Sequence, residues 1–134
     1  MIRATVDTNI TVSGLLFGGI PYKIIQAALN RRFVWTLSAE LMEEAERVLT
    51  APKFGLTRKE IQILTGPIFD VAEIVVPVQR FNAISRCPGD NRVLECAVAG
   101  RCKAIVTGDR RDLLSLGAFH GVQIVSCRQF LEML

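Results

Sequence analysis

Among its 134 residues the chain has one histidine, one tryptophan and one tyrosine, and its four cysteines, Cys87, Cys96, Cys102 and Cys127, form no C-x-x-C pair. Nitrogen and sulfur ligands are too few and too badly spaced for a zinc site, so the thiols read as reduced core or surface groups. No apolar run approaches the ~20 residues of a membrane span. The stretch MIRATVDTN lacks a signal peptide's apolar core. The expectation is a cytoplasmic protein with no membrane partner. Internal repeats and low-complexity linkers are missing too. The net charge of +3 permits a polyanionic partner without requiring one.

What is present is a compact composition, 50% hydrophobic and 22% charged, of a length that suits one domain over residues 1–134. Strand and helix patterns alternate throughout. MIRATV, FVWTL, EIVVPV, KAIVT and VQIVS read as strands, with Pro77 demoting EIVVPV to an edge or a strand end. After the turn FGGIP, Pro21 opens a helix over PYKIIQAALNRR. Ser38 caps a helix running to about Leu49. Thr57 and Glu60 have capping-box spacing and start a helix expected to break near Gly66-Pro67. DNRVLECAVAGR, RDLLSL and CRQFLEML complete the helices. Such alternation implies right-handed crossovers and a parallel sheet covered on both faces, with sites in the crevice beyond the carboxyl ends of the strands.

Asp7 follows the first strand and Asp109 follows KAIVT, so both fall on that rim. Each has a bland alternative as a turn or cap residue. In the helix after Ser38, Leu41, Met42, Ala45, Val48 and Leu49 form one stripe at ~100° per residue. Glu40 and Glu43 point away from it, whereas Glu44 and Glu46 border its two edges, and periodicity does not choose between them. Asp90 opens its helix in line with Val93, Leu94 and Ala97, facing inward, while Glu95 falls on the outer face. A helix cap is the alternative for Asp90. Asp112 follows Asp109 by three residues and is either a further acid of the rim or the cap of a short helix. Thr107 offers a hydroxyl beside Asp109.

Carboxylates gathered in this way repel and call for a counter-cation, and oxygen-only ligation suits Mg²⁺ or Mn²⁺. Such ions polarise phosphoryl oxygens and activate water, and a pair ~3.5–4 Å apart would stabilise both the attacking and the leaving oxygen. Phosphodiester hydrolysis is the matching chemistry.

The stretches VDTNITVSGLL, SAELMEEAERVL, GDNRVLECAVAG and AIVTGDRRDLLSLGAFHGVQIVSCRQFLEML, taken in order, resemble the PIN domain family, in its branch of toxin components of toxin–antitoxin pairs. The resemblance implies a Rossmann-like three-layer α/β/α sandwich with a central, mostly parallel twisted sheet, and a metal-dependent ribonuclease. It implies an acidic quartet of Asp7, Glu44, Asp90 and Asp109, so favouring Glu44 over Glu46. Asp112 is implied as a fifth acid, and Asn9 and Thr107 as supporting residues. It further implies an RNA substrate, an antitoxin partner and a homodimer. In place of the family's D-P-D-D-N this chain has CPGDN, with Cys87 and Gly89 where two acids are usual, which bears on the number of ions held.

Arg110 and Arg111 flank the expected site and Arg92 lies in the helix that Asp90 opens, which makes these three the expected RNA-backbone contacts. Arg31, Arg32 and Arg101 read as ordinary surface. Trp35, inside a strand pattern, reads as core, and His120 as a loop residue. Two rival readings stand beside the toxin. One is an RNA-processing nuclease without an antitoxin. The other is a PIN-like RNA- or protein-binding module without catalysis, against which the intact quartet argues.

Overall fold

The computed structural model describes residues 1–84, 88–109 and 111–134, with Pro88 described in its backbone alone. Cys87 and Arg110 lie outside the described residues. The strands are β1 (Arg3–Val6), β2 (Val34–Leu37), β3 (Glu73–Ile74), β4 (Ala104–Val106), β5 (Ala118–Phe119) and β6 (Val122–Val125). They form one sheet in the order β3-β2-β1-β4-β6-β5, parallel except for the β5–β6 pair. The helices are α1 (Thr8–Phe17), α2 (Gly19–Leu29), α3 (Ala39–Leu49), α4 (Arg58–Val71), α5 (Pro88–Ala99), α6 (Leu113–Leu116) and α7 (Cys127–Met133).

The alternation of side chains along the strands builds the layers. Thr5 and Thr36 are register partners on one face, where Thr5 meets Cys96 of α5. Trp35 points to the other face and stacks on Phe33, which packs edge-on against Phe130 of α7. Helices therefore cover both faces, which is the expected three-layer α/β/α arrangement. The strands are nearly continuous apolar runs because neither face meets water. Ala4, Trp35, Ile105 and Val106 are at most 1% exposed. Cys96, Cys102 and Cys127 are free, buried thiols, and Trp35 belongs to the core as its strand pattern indicated.

Local chemistry explains where the elements begin. Ser38 accepts the Leu41 amide at the start of α3, and Thr57 and Glu60 close a capping box on α4. Four features differ from the sequence pattern. Residues 8–17, to which no element was assigned, form α1, where Thr8, Ile10, Thr11, Val12 and Gly14 are buried without a single stripe to betray the period and Phe17 is exposed. α4 runs through Gly66-Pro67 instead of breaking there. Gly66 has no Cβ for the Pro67 ring to press on, and the Thr65 hydroxyl donates back to the Ile61 carbonyl. EIVVPV pairs with the sheet only at Glu73–Ile74 before Pro77 ends the edge. The two-residue β5, too short to stand out, turns back on β6 through His120 and Gly121, both at positive φ.

The packing of α1 on α2 depends on Gly14. A Cβ there would stand 2.7 Å from Ile25 Cδ1 and 3.0 Å from the Pro21 carbonyl group. Gly14→Ala gains about 1 kcal/mol of helix propensity but overpacks the contact by about 1–3 kcal/mol. The expected outcome in a urea titration is a net loss of up to about 2 kcal/mol; greater stability would show that the two helices are not held this close.

Candidate metal centre

The parallel pairing of β1 with β4 delivers two chain segments to the same rim. Asp7 and Thr107 each continue a strand by one residue: the Asp7 amide donates to the Val106 carbonyl and the Thr107 amide to the Val125 carbonyl. Asp7 is 4% exposed and occupies the N-cap position of α1, yet its side chain makes no capping bond. Instead its Oδ2 accepts the Thr107 hydroxyl at 2.9 Å. The same Thr107 oxygen accepts the Asp109 amide at 3.0 Å. One hydroxyl thus ties the carboxylate after β1 to the backbone after β4.

Asp109 Oδ1 accepts the amides of Arg111 and Asp112, each at 3.1 Å. Asp109 therefore organises the turn into α6, while Asp112, at the N-cap position itself, makes no side-chain cap bond. Carboxylate oxygens of Asp90, Asp109 and Asp112 lie within 4.8 Å of one another, and all three residues are half-buried. Asp90 Oδ2 is buried with no hydrogen-bond partner among the described residues. Glu44 stands nearby on α3, its Oε2 accepting the Thr8 hydroxyl at 2.8 Å. Glu46 is exposed. A cavity of about 310 Å³ opens beside Glu44, lined also by Glu40, Glu43, Arg47, Gly89 and Arg92.

The electrostatics follow from this crowding. Loss of water raises the Asp7 carboxyl; the Thr107 hydroxyl opposes the shift, and the charges of Glu44 and Asp109 add to it. Asp90 is pushed up to about 7, first by desolvation, then by the Asp109 carboxylate opposite and the charges of Asp7 and Asp112. Burial works the same way on Asp109, but the amides donated to it and the contact with Asp90 prevail and leave it below its ordinary value. Three converging carboxylates, one of them with an oxygen that has no hydrogen-bond partner among the described residues, are a donor set that fits a hard divalent cation, and the residues present can hold one.

The other expected site residues fall less simply. Asn9 is exposed, and among the described residues no hydrogen bond joins it to an acid; its neighbour Thr8, 4% exposed, makes that bond instead. The sequence pattern had no means of finding Thr8, because α1 itself carries no readable period. Arg111 is exposed on the rim. Arg92 is committed to Glu95 at 2.7 Å. Glu95, expected on the outer face, is 2% exposed because the segment before α5 lies over it: the Phe81 amide and Arg80 both donate to its carboxylate at 2.9 Å. Asn91 binds both backbone groups of Ile84, fastening the same segment to α5.

Fold and site together define a doubly wound α/β domain with acids converging where β1 and β4 end. A family model described as PIN domain matches residues 3–111, and the chain belongs to the PIN domain family. A comparison with curated proteins gives no significant match. Among solved structures, a chain in the crystal structure of VapBC2 from Rickettsia felis bound to a DNA fragment from their promoter is similar, with a TM-score of 0.65 and 12% sequence identity. The likeness covers 93% of this chain and 98% of that one, and at such identity it is a likeness of fold. Among the described residues no single helix is long and apolar enough to cross a membrane.

Because the Asp90 value rises on folding, its stabilising share is complete below its ordinary 3.8 and is lost as the pH rises through about 7. Asp90→Asn removes that dependence. In chelator, its melting temperature should exceed that of the parent by about 3–6 °C at pH 8 and match it at pH 4. An equal effect at both pH values would mean that charge crowding is not the cause.

Proposed function

We propose that this protein is a single-domain, Mg²⁺- or Mn²⁺-dependent endoribonuclease and the toxin of a toxin–antitoxin pair. The observation that carries the reading is the convergence of Asp90, Asp109 and Asp112 within 4.8 Å beside the buried Asp7, with one Asp90 oxygen left without a hydrogen-bond partner among the described residues. Membership of the PIN domain family supports nuclease chemistry. The fold likeness to a chain of a toxin–antitoxin complex supports an antitoxin partner. A homodimer and a cytoplasmic setting belong to the same reading.

Asp90, Asp109 and Asp112 would hold the ion, with Asp7 and Glu44 completing the acidic rim. When bound, a divalent cation supplies Lewis-acid polarisation of a phosphoryl oxygen and lowers the pKa of water at the site. The chain's own residues do the positioning. Thr107 fixes Asp7 through Oδ2, and the amides of residues 111 and 112 fix Asp109 through Oδ1. Asp7, raised by burial, is suited to take a proton from an attacking water. Arg111 supplies a phosphate contact beside the rim, and Arg110, its neighbour in sequence, keeps that role as an expectation; such contacts add affinity and salt dependence but no base preference. Arg92, balanced by Glu95, contributes to the cavity wall beside Glu44 more than to an open phosphate track.

Incubating the protein with a mixed RNA pool and Mg²⁺, Mn²⁺ or chelator, then sequencing the cut ends, tests activity, ion and specificity together. Asp7→Asn and Asp109→Asn should each lower cleavage by roughly 10²-fold or more. Glu44→Gln should impair cleavage, and Glu46→Gln should leave it within about twofold, as an exposed substitution does. Full activity of a clean Asp7→Asn preparation would end the nuclease reading of this rim.

A further inference from the structure

Glu44 is the one acid of the rim that reaches it from α3, across a helix–helix gap, and something must fix a side chain with three rotatable bonds. Two observations bear on how. Thr8, 4% exposed at the start of α1, donates its hydroxyl to Glu44 Oε2 at 2.8 Å. On the opposite side Gly89, in the first turn of α5, has no side chain, and a Cβ built there would lie 3.3 Å from Glu44 Oε1. The carboxylate is therefore bonded on one oxygen, and the other lies where a side chain at position 89 would crowd it. Oε2 is occupied by a donor that neutralises nothing, so Oε1 is the oxygen left to meet a cation or its water.

We propose that Thr8 is the positioning residue for Glu44, and that the bare backbone of Gly89 is the space its second oxygen uses. The inference rests on the reading of the rim as an ion site and adds residues which that reading does not need. The two devices are coupled. A methyl at position 89 would make Glu44 Oε1 shift by a few tenths of an ångström, and Thr8 is what stops it from shifting freely. Once the hydroxyl is gone the carboxylate can swing away, and the methyl meets little resistance. The effects of changing both residues should therefore fall short of the sum of the single changes.

The test is Mn²⁺ binding by the full chain, followed through the electron paramagnetic resonance signal of free Mn²⁺, with no RNA present. Thr8→Val should weaken binding several-fold, up to roughly tenfold, as loss of an outer-sphere partner does. Thr8→Ser, which restores the hydroxyl, should return binding to within about twofold of the parent. Gly89→Ala should weaken it as well, and the double variant should bind no worse than Thr8→Val alone. Parental affinity in Thr8→Val, no rescue by serine, or additive losses would each overturn the proposal. Should Thr8→Val fail to fold in a thermal melt, parental binding by Gly89→Ala or weakened binding by Thr8→Ser would still overturn it. Asp109→Asn separates the two levels: if it binds Mn²⁺ like the parent, the ion-site reading itself falls, whereas its loss beside an intact Thr8→Val defeats only the role of Thr8.

Discussion

Repulsion among carboxylates stripped of water is the constraint around which one end of this molecule is arranged. Asp7 sits at the end of a buried strand with Asp109 arriving from the strand beside it, and parallel pairing of β1 and β4 leaves neither residue another place to go. The fold answers with neutral donors. Thr107 bonds Asp7, two backbone amides bond Asp109, and Thr8 bonds Glu44. None of these donors carries a charge. Asp90 holds its proton up to about pH 7. Donors that order the acids without adding positive charge support the proposal that this rim takes a cation.

Glu95 makes the contrast within a single helix. It stands five residues beyond Asp90 and is the more deeply buried of the two. Its carboxylate receives Arg80, Arg92 and the Phe81 amide, so its charge is balanced and its lone pairs are used. Glu95 is thus a structural acid that fastens the preceding segment to α5, and Asp90 is the acid whose Oδ2 has no hydrogen-bond partner among the described residues. Burial alone does not distinguish the two roles. The identity of the donors does.

The layers and most strand positions were legible in the sequence because parallel strands buried on both faces leave short β-branched runs between helical stripes. Ser38 and the Thr57–Glu60 pair announced their helices for the same local reason. α1 escaped because it is buried on several sides, so no stripe survives to reveal a period. That one omission also hid Thr8, since its direction cannot be inferred without the helix. Helical projection narrowed the glutamates of α3 to Glu44 and Glu46, and the fold places the first against Thr8 and leaves the second in solvent. Projection misplaced Glu95, because a helix wheel knows nothing of a segment laid over its outer side. The convergence of Asp90, Asp109 and Asp112 depends on contacts between elements distant in sequence, and only the folded chain brings their oxygens within 4.8 Å.

On the proposed reading, the rim of Asp90, Asp109 and Asp112 takes a divalent ion. Anomalous diffraction at the manganese edge, from crystals grown with Mn²⁺ near pH 8, tests it most directly. The account predicts an anomalous peak within coordinating distance, ~2.0–2.4 Å, of carboxylate oxygens from at least two of Asp90, Asp109 and Asp112. A well-ordered rim with no peak there, or with manganese bound only elsewhere on the surface, would contradict it.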